Sequence, residues 1–149
     1  MIDIIVPVYN NLDYTRLFID SLDYQKDSEF SLIVIDNASS DGTRSFLKKL
    51  KKNYSIQIIY NDENLGYVKA INQGLKLCKN NIILFSNNDT ILSSNLLSQM
   101  ERNMGKYGIL TPYTNALDGK DSNILLTPYT GKPILSEINV YAESLYLEF

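Results

Sequence analysis

Residues Asn81–Thr90 read NIILFSNNDT, and the fold turns on how this stretch is read. Ile82, Ile83, Leu84 and Phe85 run without a polar break, which predicts a short strand buried on both faces. Ser86, Asn87, Asn88, Asp89 and Thr90 follow at once, with no Gly or Pro to mark an ordinary turn. One carboxylate thus stands among amides and hydroxyls where a central strand should end. In open α/β sheets, ligands sit in the crevice outside the carboxyl ends of the strands. A hard divalent cation prefers oxygen ligands of this kind. The same residues also fit a plain polar loop in which Asp89 or Ser93 caps the next helix.

The chain on either side repeats the pattern. Met1–Tyr9 (MIDIIVPVY) is strand-like, with Pro7 near its end because proline cannot donate to a ladder. Asp13 is a candidate cap for a helix in which Tyr14, Leu17, Phe18, Ser21 and Leu22 recur at helical spacing. Ser31–Ile35 (SLIVI) is a second buried strand, ended by Asp36 and Asn37. A turn follows, with Asp41 or Thr43 capping a helix that carries Phe46, Leu47 and Leu50. Ile56–Tyr60 is a third strand, and the polar loop Asn61–Gly66 leads into a helix whose apolar stripe is Val68, Ile71, Leu75 and Cys78. Beyond Thr90, Leu96, Leu97, Met100 and Met104 mark a helix ended by Gly105, and Gly108–Thr111 reads as a last short strand.

Strand and helix alternate with short connections, so the expected fold class is α/β: a mostly parallel, Rossmann-like sheet with helices on both faces. The expected division is a core over 1–111 and a separate segment over 112–149. In that segment Thr111-Pro112-Tyr113 is echoed by Thr127-Pro128-Tyr129, and Ile138, Val140, Ala142, Leu145 and Leu147 alternate loosely. It suits a strand, an edge, or a surface for a partner, including a second copy in a homo-oligomer.

Composition narrows the chemistry. The chain has 149 residues, which suits one domain, and a net charge of −3, which argues against a nucleic-acid partner. Lys48, Lys49, Lys51 and Lys52 interleave with Leu47 and Leu50 and read as a solvated helix face. No His is present, which excludes Ser-His-Asp and Cys-His catalysis and His-rich zinc sites. The single cysteine, Cys78, ends an apolar stripe and reads as a packing residue. No apolar run approaches the roughly 20 residues of a membrane span, and no signal-peptide layout opens the chain. Chemistry must run on carboxylates, amides, hydroxyls, Lys, Arg or a metal.

Parallel strands bring their carboxyl ends to one side. Tyr9-Asn10, Asp36-Asn37 and Asn87-Asn88-Asp89 should therefore converge. Asp36 could accept hydrogen bonds from a base or ribose. A cation at Asp89 would offset a diphosphate, and Gly66 at a helix start permits close approach of an anion. Asp36, Asp41 and Asp89 also suit plain caps and turn formers, and for Asp41 that structural reading is preferred.

Four segments now stand in order: IVPVYN (Ile5–Asn10), VIDNASSDGT (Val34–Thr43), NDENLGYVKAINQGL (Asn61–Leu75) and LFSNNDT (Leu84–Thr90). Together they resemble the family 2 glycosyltransferases, GT-A fold enzymes that use nucleotide-activated sugars. The resemblance covers roughly the first 110 residues. It implies that Pro7, Val8, Tyr9 and Asn10 line the nucleotide pocket, that Asp36 hydrogen-bonds the base, and that Asn37 lies beside it. Asn64, Gly66 and Asn72, with Lys69 nearby, would frame the diphosphate and donor sugar. Asn87, Asn88 and Asp89 would form the metal motif, with Asp89 and Asn87 as ligands of Mg²⁺ or Mn²⁺. The first acidic position of that motif is here Asn87, so one fewer carboxylate should weaken cation binding.

The resemblance also implies inverting transfer to a hydroxyl of a glycan, lipid-linked or protein acceptor, and a cytoplasmic site of action, at the inner face of the membrane if the acceptor is lipid-linked. The family's acceptor half normally continues past this motif and supplies a carboxylate base, often in a Glu-Asp pair. No such pair follows Asp89; beyond residue 110, Asp118, Asp121, Glu137, Glu143 and Glu148 remain, and the base is unassigned. The chain then reads as the donor-binding half of a longer protein or as a shortened relative. A nucleotide-sugar-binding module without turnover is the alternative. A dehydrogenase or nucleotidyltransferase is disfavoured, because VPVYNNLD lacks the Gly-rich turn either would need.

Overall fold

The computed structural model describes residues 1–104 together with 109 and 110. Four parallel strands form one sheet in the order β3-β2-β1-β4. They are β1 (Ile2–Val8), β2 (Phe30–Asn37), β3 (Ser55–Asn61) and β4 (Ile82–Phe85). Four helices alternate with them: α1 (Leu12–Leu22), α2 (Thr43–Lys49), α3 (Tyr67–Leu75) and α4 (Leu96–Met104).

The handedness of crossovers explains where the helices go. From β1 to β3 the chain steps outward in one direction; from β3 to β4 it steps back across β1. Right-handed connections therefore put α1 and α2 on one face and α3 on the other. Two cores result. Ile2, Ile4, Val6 and Val8 pack with Leu32 and Val34 against Phe18, Ile19 and Leu22 of α1, Leu47 of α2 and Leu97 of α4. Ile5, Ile33 and Ile35, at the alternate positions, pack against Ala70 of α3. The parallel direction and the two-sided covering agree with the sequence reading.

Three expectations are corrected. Among the described residues β4 is an edge strand, so Ile82, Ile83 and Leu84 are only half-buried and Phe85 is 48% exposed. The continuous burial expected of β4 is found instead in β1. On α3, Val68 is 70% exposed and Leu75 is exposed, while Ala70 and Gly74 face the sheet. The helix lies so close that a Cβ on Gly74 would come 2.6 Å from Ile5 Cγ2, and small residues make the contact. Ile71 and Cys78 do pack beside it. Finally, Asp13 lies in the first turn of α1 rather than at its cap, which is Asn11 in the left-handed region.

The N-cap of α2 is Gly42, not Asp41 or Thr43, and Asp41 acts from the position before it. Its Oδ1 accepts from the Thr43 N–H at 3.1 Å, and its Oδ2 accepts from the Leu12 N–H at 3.0 Å, which ties the starts of α2 and α1 together. The lysine-rich helix ends at Lys49, and Lys52 beyond it reaches back to Asp20 and Asp23. Ile109 and Leu110 form no strand; Gly105, Gly108, Thr111 and the 112–149 segment lie outside the described residues. No helix among the described residues is long and apolar enough to cross a membrane.

Candidate functional site

The strand order reverses between β1 and β4. The segments leaving both strands pack into the same core, and the crevice lies at their carboxyl ends, facing the entry to α3. A cavity of about 250 Å³ occupies it. Pro7 and Tyr9 line it from β1, Asn37 from the end of β2, and Asn64, Gly66 and Tyr67 from the entry to α3. Asn87, Asn88 and Asp89 close it from β4.

Eight of the residues expected at a site thus meet: Pro7, Tyr9, Asn37, Asn64, Gly66, Asn87, Asn88 and Asp89. Tyr9 is half exposed at the rim, and Asp89 is exposed. The helix α4 begins only at Leu96, so Asp89 is not its cap.

The others stand elsewhere. Val8 points into the core and is buried. Lys69 and Asn72 are exposed and do not line the cavity. At about 100° per residue they fall on the side of α3 turned away from Ala70 and Gly74. Asp36 is fully buried one layer behind the cavity. Its Oδ1 accepts from the Ser39 N–H at 3.0 Å, and its Oδ2 accepts from Arg44 Nε at 2.5 Å. Arg44 also donates to the Asn61 carbonyl and lies 5.6 Å from the centre of the Tyr60 ring. Burial raises the Tyr60 hydroxyl above its ordinary range; the Asp36 charge adds to this and Arg44 opposes it.

Asn10 is a hub rather than a wall. It sits at φ 59°, a conformation asparagine tolerates better than most residues. Its N–H donates to Ser39 Oγ at 2.8 Å, and its Oδ1 accepts from the Ser40 N–H at 2.8 Å. Its carbonyl accepts from Asn88 Nδ2 at 3.1 Å, which also donates to Thr15 Oγ1 at 3.0 Å. The ends of β1, β2 and β4 are therefore cross-linked through one side chain and its backbone.

A second network holds the far wall. Asn37 Nδ2 donates to the Gly66 carbonyl at 3.4 Å, and Asn37 Oδ1 accepts from Asn61 Nδ2 at 2.8 Å. Asn61 and Gln73 exchange two bonds of 2.9 Å each. Asn64 Oδ1 accepts from the Gly66 N–H at 2.9 Å and shapes the turn, and Gly66 itself sits at φ 78°.

Sequence reasoning missed Tyr67, Thr15, Arg44, Asn61 and Gln73. Tyr67 was signalled only by following Gly66. The others carry no local pattern, because their partners lie far along the chain.

Among the described residues no group of three or more His, Cys, Asp or Glu side chains could hold a metal ion. Asp89 is the sole carboxylate on the described lining of the cavity, with the Asn87 amide beside it. Mg²⁺ is commonly held by one or two carboxylates plus substrate phosphates, and this donor set fits such a shared site.

A family model described as glycosyl transferase family 2 matches residues 3–125. The glycosyltransferase YfnE of Bacillus subtilis is 31% identical over 97 residues, covering 64% of this chain and 25% of the relative. A poly(ribitol-phosphate) beta-glucosyltransferase of Bacillus spizizenii is 32% identical over 100 residues, covering 64% and 16%. The chain thus spans about a quarter or less of the length of these two relatives. In fold it is similar to the mannosyltransferase PcManGT of Pyrobaculum calidifontis, solved with GDP-Man and Mn²⁺ (TM-score 0.66, 21% identity, 70% of this chain and 32% of that one). It is likewise similar to S. aureus TarS in complex with UDP-GlcNAc (TM-score 0.65, 24% identity, 72% and 32%). The parallel sheet, its reversal at β1 and β4, and the matched family model agree: the chain belongs to glycosyl transferase family 2.

Proposed function

We propose that this chain is the donor-binding part of a glycosyltransferase that moves a sugar from a nucleoside diphosphate to an acceptor hydroxyl. The observation that carries the reading is the cavity at the β1/β4 reversal, which brings Tyr9, Asn37, Gly66 and Asp89 onto one lining. Tyr9 offers a ring face for a base. Gly66 lets backbone approach a diphosphate closely, at the start of a helix whose N-terminus favours anions.

The Asp89 carboxylate and the Asn87 amide would hold Mg²⁺ or Mn²⁺ together with donor phosphates. The ion would supply electrostatic stabilisation of the departing diphosphate. The acceptor oxygen forms its bond to the anomeric carbon as the bond to the diphosphate breaks, and the hydroxyl proton passes to a carboxylate base. Asp89 aside, no Asp or Glu stands on the described lining, so that base is expected from chain outside the described residues. Attack opposite the leaving group would invert the anomeric centre. Asp36, Asn10, Asn72 and Lys69 are assigned to donor binding on family resemblance, with Asp36 and Asn10 acting from behind the cavity wall. A glycan, lipid-linked or protein acceptor, cytoplasmic action and self-association through residues 112–149 belong to the same proposal.

Calorimetric titration of UDP and GDP, with and without Mn²⁺, tests it. One of the two should bind more tightly with Mn²⁺, and Asp89→Ala should weaken that binding by about tenfold or more, the loss of one charged contact. Unchanged affinity in that variant would remove Asp89 from the mechanism.

A second reading, a binding module without turnover, is favoured by the lone carboxylate on the described lining. Slow release of free sugar from UDP-GlcNAc or GDP-Man with Mn²⁺ present would exclude it.

A further inference from the structure

We infer that Asn61 and Gln73, neither of which lines the cavity, lock the Asn37 carboxamide in the direction that the Gly66 carbonyl selects, so that it offers an N–H donor, and not a carbonyl, to an acceptor oxygen of the bound nucleotide. The inference rests on the donor-binding reading above.

The argument starts from the sheet. Asn37 and Asn61 are Cα partners on the last rung of the β2–β3 pairing. Ile33 and Ile35 alternate with residues of the other core, so Asn37 falls on the α3 face with them. Gln73 comes down from α3 onto the same rung. Three carboxamides therefore meet at the carboxyl edge of the sheet, with Asn37 and Asn61 both buried.

A carboxamide can be turned either way, and its partners decide. The relay ends on the Gly66 carbonyl, which can only accept. Asn37 must turn its NH₂ toward that carbonyl, since the reverse would set two carbonyl oxygens against each other. Asn37 Oδ1 then faces Asn61, and Asn61 must donate to it. This spends one Asn61 N–H on Asn37 and the other on Gln73 Oε1, and leaves Asn61 Oδ1 to accept from Gln73 Nε2. One backbone carbonyl thus sets the direction of every amide in the row, and the pair of hydrogen bonds between Asn61 and Gln73 holds it. Asn37 gives one N–H to Gly66, while its second has no partner among the described residues and belongs to a side chain on the cavity lining. A ligand meets a donor already oriented by buried neighbours.

Asn61 and Gln73 are positioning residues, and a double-mutant cycle distinguishes that role from general support. Asn61→Asp is nearly isosteric but cannot donate, so Asn37 must turn its NH₂ toward residue 61. UDP, titrated calorimetrically with Mn²⁺ into the full chain, should bind about tenfold more weakly to Asn61→Asp. In an Asn37→Ala background the same change should alter affinity by less than about twofold, because the group it acts through is gone. Gln73→Ala, at a half-buried position, should cost about threefold in the first background and nothing in the second; it carries the cycle if circular dichroism shows Asn61→Asp unfolded. Equal losses in both backgrounds, or no loss in the folded variants, would overturn the inference and leave the donor reading standing. Failure of the unaltered chain to bind either UDP or GDP would overturn the donor reading, and this inference with it.

Discussion

The side-chain nitrogen of Asn88 lies 3.1 Å from the backbone carbonyl of Asn10, so the segment after β4 is fastened to the turn after β1. Residues 78 positions apart in sequence become one wall of the cavity, with Thr15 Oγ1 as a further acceptor at 3.0 Å. The neighbouring Asp89 inherits its position from this fastening.

Replacing Asn88 by Ala should therefore loosen Asp89 more than the fold. Global stability should fall by about 1 kcal/mol, the net worth of ordinary hydrogen bonds. The Mn²⁺-dependent gain in nucleotide affinity should be lost. Urea titration and calorimetry on the same variant would separate the two; a stability loss with the Mn²⁺ response intact would make Asn88 purely structural.

Arg44 is the charged partner of the fully buried Asp36, and its own side chain is 28% exposed. Removing it leaves a buried carboxylate whose remaining partner among the described residues is the Ser39 N–H. Breaking a buried pair from one side costs about 3–5 kcal/mol, and the partial exposure of Arg44 places this case near the lower bound. Arg44→Met should lower the urea midpoint accordingly. Adding Asp36→Asn to it should recover part of the loss, since the uncompensated charge is then gone.

Asp3 holds the entry to β4. Its carboxylate accepts from the Lys79 and Asn80 N–H groups at 2.7 Å each, from Asn80 Nδ2 at 2.8 Å and from the Ser31 hydroxyl. Burial, the largest single influence, pushes its pKa up, but the bonds from Ser31, Asn80 and Lys79 outweigh it and hold the value below the ordinary 3.8. A carboxyl depressed in the folded state stabilises the fold above its unfolded pKa, and that contribution is lost as pH falls through the folded value. Asp3→Asn should thus cost about 2 kcal/mol at pH 7. The gap to the unaltered chain should begin to narrow below about pH 4 and close as pH falls through the lower folded value. A gap that stays constant down to pH 2.5 would show that the charge is not what matters.

Gly74 sets the distance of α3 from the sheet. A methyl group there would meet Ile5 Cγ2 at 2.6 Å and Ile35 Cδ1 at 3.0 Å, both in the packed core. Gly74→Ala should destabilise by about 1–3 kcal/mol despite alanine's better helix propensity. It should also weaken nucleotide binding, because α3 carries Tyr67 and Gln73. A neutral or stabilising result in urea would mean the helix can shift at no cost.

Much of this was legible in the chain. The apolar runs around Ile4, Ile33 and Ile83 each became a strand, since an unbroken apolar stretch leaves the backbone few other ways to satisfy burial and hydrogen bonding together, and Ile56–Tyr60 did so with Gln57 inside it. Alternation with helices dictated parallel pairing, and parallel pairing brought the strand ends to one side. Tyr9, Asn37 and Asp89 were therefore predictable as neighbours from segments far apart. The stripe on α3 misled, because Val68 and Leu75 look like contact residues until the closeness of the helix, set by Gly74, is known.

What the sequence determined by itself was the alternation of elements, the direction of the sheet and the set of polar residues at its carboxyl edge, because these follow from local periodicity and the handedness of crossovers. What the tertiary structure decided was which polar groups face the cavity and which are spent inside the protein. Asp36 is turned inward by Arg44, Asn88 is anchored by Asn10, and Asn37 is oriented through Asn61 and Gln73. Hydrogen-bond partners across strands are fixed by register and by the distance of α3 from the sheet, and neither quantity is written in any local stretch of sequence.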